Sequence, residues 1–296
     1  MAITLAQLRA FVAVADHEGF AAAADELGVT QSAISHAVAT LEGELGLSLL
    51  HRRPALCLTT LGDDVLGHAR AALASADALV LTARQRSDDR GGTVRLGVTS
   101  TVCFGLLPQL LTRWRDAAPQ ITVRVFEGDD PELLSWLEDG TVDAAILINP
   151  ERPHADAVAV GDDRYCAVVR DDHPLANSEH IAVEELLEDA ILVSGGGCGP
   201  DIIALLRSRR PEFTPAQRVY DNAALLNLVA AGLGVTVFPS IGVGMLASGT
   251  RMICLEPSIT RTMIFSGPTR RPWNPLVTRL RDALTPTEIH SEARAG

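Results

Sequence analysis

The sequence predicts an α/β protein that begins with an all-α region. Residues 1–58 alternate short helical stripes with tight turns, and residues 59–86 form one Ala/Leu-rich helical run. From Thr93 onward, short β-branched runs alternate with amphipathic helical segments, as expected when helices cover a mostly parallel sheet. The polar stretch 87–92, which ends in two glycines, separates these parts and predicts a linker.

Composition limits the class of protein. The 296 residues are 47% hydrophobic and 21% charged, which predicts a globular chain of two or three domains. The N-terminus lacks the pattern of a secretory signal, and no run of about 18 uncharged apolar residues occurs. We therefore expect a cytoplasmic protein with no membrane partner. The five cysteines are scattered, without a C-x-x-C pair or a nearby histidine, which predicts free thiols, no metal site and no cofactor.

The overall charge is unfavourable for nucleic-acid binding. The net charge is −12, and residues 1–90 hold 11 acidic residues against 7 arginines, a balance of −4. Because a few local contacts suffice for DNA binding, the positions of the positive groups matter more than their number.

Residues 20–45 predict two helices joined by a sharp turn. The first helix, 21–27, ends at Gly28, which can adopt the left-handed conformation that such a turn requires. Thr30 suits the N-cap of a second helix, whose buried stripe is Ile34, Val38, Leu41 and Leu45. On this evidence alone, two ordinary packed helices remain an alternative.

The exposed face of the second helix favours a DNA-recognition helix. Gln31 and Ser35, and likewise Ser32 and His36, are i,i+4 neighbours, and no carboxylate precedes Glu42 to repel phosphate. The N-terminal side chains of a recognition helix enter the major groove, where Gln, Ser and His can bond to base edges or phosphates. The candidate DNA-binding residues on this helix are Thr30, Gln31, Ser32, Ser35 and His36.

A short β wing is predicted after this helix. Residues 47–50 and 56–58 flank a basic tip that contains Arg52 and Arg53. Two arginines there could bind phosphates or enter a narrow minor groove, although an ordinary solvated pair is the alternative.

The helical run that follows the wing has apolar residues at a 4-4-3-4-3-4 spacing. This spacing predicts a coiled-coil seam, or a single helix packed on its own domain. The seam residues are Leu61, Val65, Ala69, Ala72, Ala76, Leu79 and Ala83.

The α/β region predicts further strands and helices in alternation. The strands are 94–98, 121–126, 143–148, 165–169, 190–193, 219–220 and 235–238, and the helices are 103–114, 131–138 and 222–231. The last of these helices stops at Gly232, a common helix C-cap signal. Ligands bind at the carboxyl ends of strands in such sheets.

The first 62 residues resemble the LysR-type transcription regulators, and weaker similarity continues through Gly140, Asp143 and residues 230–239. His36 departs from the family, which often has Arg or Gln there, and so leaves the preferred bases open. The resemblance rests on residues 8–15, Gly19, Phe20, Ala23, Ala24, Leu27, residues 31–35, Leu41, Glu42, Leu45, Gly46, Leu49, Leu50, Arg52, Arg53, Leu58, Thr59 and Gly62.

The resemblance implies an organisation for the whole chain. It implies a winged helix-turn-helix domain over 1–58 and a dimerising linker helix over 59–90. It also implies a two-lobed, periplasmic-binding-protein-like effector domain, with lobe I at 91–161 and 266–296 and lobe II at 162–265. The chain would cross between the lobes near Gly161 and near Phe265.

The resemblance likewise implies a function: a homodimer or homotetramer that binds a double-stranded DNA operator, under the control of a small-molecule effector held between the lobes. RNA polymerase would be a further partner of an activator. Activation and repression both stay open, as do the operator sequence and the effector.

Loops that follow strands supply the candidate effector-binding residues. The hydroxyls and backbone N–H groups of Thr99, Ser100 and Thr101 favour an anion, whereas Asp129 and Asp130 would favour an amine if they point inward. Both aspartates could instead be solvated, the glycine-rich loop could be merely flexible, and Asn222 could be only a helix cap. The full candidate set is Thr99, Ser100, Thr101, Asp129, Ser194, Gly196, Gly197, Cys198 and Asn222.

Two rival functions stay open. Cys103 and Cys198 lie near predicted helix N-termini, which lower the pKa of a thiol, so the chain could be a thiol redox sensor. Against this, no second cysteine lies near Cys198 in sequence. A two-lobed enzyme or binding protein is the other rival, but no catalytic signature or nucleotide motif supports it, and we expect no enzyme.

Overall fold

The protein is described by a computed structural model that covers residues 3–51, 55–84 and 91–284. Within these residues no helix has both the length and the apolar character needed to span a membrane. The N-terminal part consists of α1 (Leu5–Asp16), α2 (Phe20–Leu27), α3 (Gln31–Leu45), β1 (Leu50–His51), β2 (Cys57–Leu58) and α4 (Thr60–Arg84).

The apolar stripe of α3 is buried in the core of the N-terminal part. Its Ile34, Val38 and Leu41 are buried together with Phe11 and Val14 of α1, as the sequence pattern predicts. The turn before α3 also has the predicted geometry. Gly28 ends α2 with a φ of +64°, and the Thr30 hydroxyl accepts a hydrogen bond from the Ala33 N–H to cap α3.

A close backbone contact fixes the wing. Strands β1 and β2 pair antiparallel, with Leu50 opposite Leu58. The Glu42 carboxylate accepts hydrogen bonds from the Leu49 and Leu50 N–H groups at 2.8 and 3.2 Å, which joins α3 to β1. Gly62 of α4 lies so close to β1 that a Cβ atom there would be 2.1 Å from the Leu49 carbonyl oxygen.

Two lobes make up the remainder of the described chain. The first lobe contains β3 (Gly92–Val98), β4 (Ile121–Glu127), β5 (Ala144–Ile148), β12 (Thr260–Ser266) and the first half of β6 (Val158–Arg170). Its helices are α5 (Ser100–Gly105), α6 (Leu107–Ala117), α7 (Asp130–Asp139) and α11 (Pro275–Asp282). The strand order is β4-β3-β5-β12-β6, and α6 and α11 bury Trp114 and Leu280 against it.

The second lobe continues the same sheet from the other half of β6, in the order β6-β10-β8-β9, with β11 paired to β6 and β7 to β11. Its strands are β7 (His180–Ala182), β8 (Ile191–Ser194), β9 (Gln217–Val219), β10 (Val235–Pro239) and β11 (Thr250–Glu256). Its helices are α8 (Val183–Leu186), α9 (Gly199–Arg209), α10 (Asn222–Ala230) and the 3₁₀ helix Ser240–Met245. Hydrophobic clusters cover both faces of this half of the sheet.

The crossovers between the lobes differ from the expected positions. Residues of β6 up to Arg164 pair with β12, and those from Tyr165 onward pair with β10 and β11, so the first crossover lies after Gly161. The second precedes Thr260, because β12 pairs with β5 and buries Met263 and Phe265 in the first-lobe core. The return expected near Phe265 thus lies a few residues earlier, at the start of β12. The boundaries at 58 and 90 stay predictions.

Some predicted elements also differ. The helix expected over 103–114 is two helices, α5 and α6, which are separated at Leu106. Pro108 explains the break, since proline is tolerated in the first turn of a helix but disrupts its interior. Strands β7, β11 and β12 were not predicted from the sequence.

Helix α4 connects the N-terminal helices to the first lobe. It packs against α1, α7 and α11, with Ala69 and Ala74 buried. Gly140 ends α7 with a φ of +81°, and a Cβ atom there would lie 2.8 Å from the Ala74 Cβ. Leu79 remains 70% exposed. Part of α4 thus packs on its own chain, as expected for a single helix packed on its own domain. The coiled-coil seam between two chains stays a prediction.

We expect the substitution Gly62→Ala to destabilise the wing by about 1–3 kcal/mol, because the new methyl group would overlap a backbone carbonyl that cannot rotate away. Gly43→Ala in α3 is the matched control. A Cβ atom at Gly43 meets nothing within 4 Å, so this change should stabilise α3 by about 0.5–1 kcal/mol. Hydrogen exchange of peptides from 31–70, read by mass spectrometry, checks both. Equal protection in the two variants would contradict the proposed clash.

Candidate effector cavity and nucleic-acid interface

The exposed face of α3 has the chemistry predicted for it. Thr30, Gln31, Ser32 and His36 are exposed, and Ser35 is half-buried. The first turn contains no acidic residue. The positive N-terminus of the helix and its uncharged side chains can therefore approach a phosphate without repulsion. Arg52 and Arg53 lie outside the described residues.

One cavity of about 250 Å³ lies between the two lobes. The loops that follow β3, β4, β8 and β9 form most of its walls, together with Ile148 at the end of β5 and Arg261 of β12. All nine predicted effector-binding positions line this cavity: Thr99, Ser100, Thr101, Asp129, Ser194, Gly196, Gly197, Cys198 and Asn222. A cavity of this size suits a small metabolite rather than a polymer.

Several lining residues were not predicted from the sequence. Arg261 lies in the unrecognised strand β12, so nothing placed it near the other loops. Tyr220 was assigned to a strand, whereas it follows β9 and is 80% exposed at the rim of the cavity. The residues that were not predicted are Glu127, Gly128, Glu132, Ile148, Tyr220 and Arg261, and Asp130, which had been considered with Asp129, also lines the cavity.

A buried ion pair lies beside the cavity. Arg261 and Asp163 are directly opposite on β12 and β6, and two hydrogen bonds of 2.7 Å join them, from Nε to Oδ1 and from Nη2 to Oδ2. Neither side chain is more than 3% exposed. Burial alone would lower the pKa of Arg261, but the hydrogen bonds and charge of Asp163 raise it above its ordinary value. The guanidinium stays charged and is held by its partner.

The aspartates that begin α7 are not solvated loop charges. Both are half-buried and line the cavity. Asp129 caps α7 by accepting a hydrogen bond from the Glu132 N–H, while Glu132 accepts one from the Asp129 N–H. Asp130 accepts a hydrogen bond of 3.3 Å from the Ile148 N–H. Burial raises the pKa of Asp130 above its ordinary value, and Asp201 and Asp129 add to the rise while this hydrogen bond and Arg261 oppose it.

The remaining cavity loops are ordered by close packing and hydrogen bonds. The Ser194 hydroxyl donates a hydrogen bond of 2.9 Å to the Gly196 carbonyl. A Cβ atom at Gly199 would lie 2.0 Å from the backbone carbonyl oxygen of Ser194. The glycine-rich loop is therefore a tight turn. Asp221, rather than Asn222, caps α10 by accepting from the Ala224 N–H, which excludes a purely capping role for Asn222.

The cysteines do not have the lowered pKa values that the sequence suggested. Cys103 lies inside α5 rather than at its start, and Cys198 is the N-cap residue of α9. Burial raises the pKa of each thiol to about 11. Within the described residues, no group of three or more His, Cys, Asp or Glu side chains is arranged to hold a metal ion.

Comparison with known proteins matches both halves of the chain. Residues 5–63 fit the model of the bacterial regulatory helix-turn-helix protein, lysR family, and residues 87–287 fit the LysR substrate binding domain. The chain belongs to the LysR family of transcriptional regulators. The winged helix-turn-helix and the two-lobed domain that the sequence predicted are thereby confirmed.

Individual LysR-family relatives are similar over most of their length. A probable hydrogen peroxide-inducible genes activator of Mycobacterium avium is 34% identical over 255 residues, which cover 84% of this chain and 82% of the relative. The HTH-type transcriptional regulator YvbU of Bacillus subtilis is 27% identical, with coverages of 90% and 92%. A variant of full-length OxyR from Pseudomonas aeruginosa is 25% identical, with a TM-score of 0.77 and coverages of 96% and 95%.

We expect the substitution Asp130→Asn to stabilise the free protein at neutral pH by on the order of 1 kcal/mol. The raised pKa means that the ionised carboxylate opposes folding at pH values above its folded pKa. This penalty disappears below the ordinary aspartate pKa of 3.8, where both states are protonated. The gain in melting temperature should therefore shrink as the pH falls from 7.5 toward 4.

The control for this experiment is Asp172→Asn, which changes an exposed carboxylate paired with Arg170 at the far end of β6. Such surface pairs contribute about 0–1 kcal/mol, so little change is expected. A loss of stability in Asp130→Asn at neutral pH would contradict the inferred electrostatic strain.

Proposed function

We propose that this LysR-family protein binds a DNA operator through α3 and the wing, and that a small-molecule effector in the cavity controls this binding. The observation that most supports the proposal is the convergence of all nine predicted loop positions on one cavity between the lobes. The geometry serves binding rather than turnover, so we propose no catalytic activity. Such a protein would act where the chromosome is, in the cytoplasm.

Helix α7 offers a physical route from the effector to the DNA-binding part. Its first turn, with Asp129 and Asp130, lines the cavity. Its last turn and Gly140 pack on α4, where the Asp139 Cβ lies 3.5 Å from the position of a Cβ at Gly67. A ten-residue helix is about 15 Å long and moves as a unit. An effector that shifts its first turn would therefore also shift α4 and the helices attached to it.

Self-association would place two copies of α3 on one operator. The α4 surface leaves Leu79 and Val80 70% and 44% exposed, and Ala72 and Ala83 are exposed as well. These side chains can pack against a second copy, and a dimer with two-fold symmetry reads a dyad-symmetric site. We propose a homodimer that pairs further into a tetramer, with RNA polymerase as an additional partner if the protein activates transcription.

The second candidate function is peroxide sensing by a thiol. Cys198 lines the cavity at the start of α9, and the similar protein of Mycobacterium avium is named a probable hydrogen peroxide-inducible genes activator. Two features disfavour it. The thiolate is the reactive form, and burial raises the pKa of Cys198 to about 11. Cys166 and Cys254 lie opposite each other on β6 and β11, but burial and Cys254 raise the pKa of Cys166 to about 12.

Selection of bound fragments from a random DNA pool, at two salt concentrations, tests the operator-binding proposal. We expect dyad-symmetric sites that survive the higher salt, since non-specific binding is lost as salt rises. On the selected site, Ser35→Ala and Arg53→Ala should weaken binding by about 1–3 kcal/mol without unfolding the protein.

Matched controls for these variants are Ser208→Ala on the exposed face of α9 and Arg152→Ala in an exposed loop of the first lobe. Arg53→Ala should also reduce the slope of log affinity against log salt by about one. Unchanged affinity in both test variants would remove them from the interface. Only sequence-blind binding that salt abolishes would contradict operator recognition itself.

Hydrogen peroxide separates the two candidate functions. With pKa values raised to about 11 and 12, Cys198 and Cys166 should react no faster than free cysteine at pH 7.5, and operator affinity should not change. Peptide mass spectrometry after timed exposure measures the reaction, with Cys198→Ser as the control. Rapid oxidation of Cys198 together with a change in DNA binding that Cys198→Ser abolishes would instead establish the redox function.

A further inference from the structure

The walls of the cavity differ sharply in charge. Four carboxylates line it, namely those of Glu127, Asp129, Asp130 and Glu132. Among the described residues that line it, Arg261 is the single cation, and Asp163 already binds its guanidinium through two hydrogen bonds. Since Asp163 cancels the charge of Arg261, the four lining carboxylates make the cavity strongly negative.

Helix N-termini do not reverse this sign. The N-terminus of α7 is matched by the carboxylates of Asp129 and Glu132. Asp201 lies in the first turn of α9, and Asp221 caps α10. A helix N-terminus attracts about half a unit of negative charge, so these acidic residues already satisfy the three helices. The six-residue helix α5 also begins at the cavity, with Thr99 as its N-cap and no acidic residue in its first turn. Its half-charge is outweighed by the four carboxylates of the walls.

A second observation, independent of the acidic cluster, points to a ligand. Thr99 is only 7% exposed and lines the cavity, and within the described part of the chain its hydroxyl has no hydrogen-bond partner. Buried hydroxyls are normally satisfied, and an unsatisfied one costs about 1–3 kcal/mol. A ligand with a polar atom at this wall would supply the missing bond.

The rim of the cavity offers a further contact for positive charge. Tyr220 packs over Gly195, where a Cβ atom would lie 2.7 Å from the ring, yet the side chain is 80% exposed. An aromatic face beside an acidic pocket attracts ammonium and guanidinium groups. Closure of this ring over a bound cation would also remove it from water.

We propose that the effector is a small organic cation, an amine or guanidinium compound that also presents a hydrogen-bonding oxygen, and not an organic anion. This inference rests on the proposed function, because it assigns the chemistry of the same cavity. The cationic group lies against Asp130 and the neighbouring carboxylates, and the oxygen lies against the Thr99 hydroxyl. Binding relieves both the crowded carboxylates and the unpaired hydroxyl.

Cys198 provides a probe of this charge preference that needs no knowledge of the effector. Its thiol lines the cavity and can be modified by methanethiosulfonates, which transfer a thioalkyl group to the thiolate and release methanesulfinate. Two reagents of similar size are compared, one with a 2-(trimethylammonium)ethyl group and one with a 2-sulfonatoethyl group. Peptide mass spectrometry measures the rate at Cys198, and the ratio of rates is divided by the ratio for 2-mercaptoethanol.

The cationic reagent should be favoured at Cys198 by at least about tenfold, the lower range for a cleft that focuses one sign of charge. Asp130→Asn should reduce this preference several-fold, whereas Asp172→Asn should leave it unchanged. Glu127→Gln, at an exposed position, gives the same test without disturbing a half-buried group. A normalised ratio at or below one, or a ratio that neither substitution at the cavity lowers, overturns the proposal.

The same labelled protein distinguishes failure of this inference from failure of the proposed function. Its affinity for the selected operator is measured after modification with the cationic reagent. A cation preference without any change in operator affinity would contradict effector control but support the charge assignment. A change in operator affinity without a cation preference would support effector control but contradict the charge assignment.

Discussion

The buried Arg261–Asp163 pair is the interaction on which the arrangement of the two lobes depends. It joins β12 to β6 at the point where β6 passes from one lobe to the other. Asp163 also accepts a hydrogen bond from the Ile241 N–H, and the Tyr165 ring lies under the guanidinium at 5.2 Å. Removal of one member would leave an uncompensated buried charge, at a cost of about 3–5 kcal/mol. The pair therefore persists, and the charge of Arg261 is not available to an anion.

Because Asp163 already neutralises Arg261, the charge of the cavity depends mainly on the carboxylates around the start of α7. The capping box at its start holds Asp129 in place and brings Asp130 against Ile148, half-buried beside Asp201. The other end of the same helix rests on α4 through Gly140, where any larger residue would collide with Ala74. One short helix thus joins the carboxylates of the cavity to α4, which is the route that we propose for control of DNA binding by the effector.

Local patterns in the sequence predicted the parts whose structure is set by neighbours along the chain. Gly28 and Thr30 identified the turn and cap of α3, and the cavity loops were found because each follows a strand. Arg261 could not be found in this way, since its partner is 98 residues distant and a charged residue within a strand normally faces water. The orientation of Asp130 could not be predicted either, because it depends on the capping box of α7 and on a hydrogen bond from Ile148 of β5.

The uneven distribution of charge explains how an acidic chain can bind DNA selectively. A net charge of −12 repels the phosphate backbone over most of the surface, so weak contacts at arbitrary sites are suppressed. The first turn of α3 contains no carboxylate, so the proposed interface escapes this repulsion. Affinity must then come from hydrogen bonds to bases and a few phosphates, which form only in the correct register. The carboxylates gathered in the cavity would in turn attract a cationic effector.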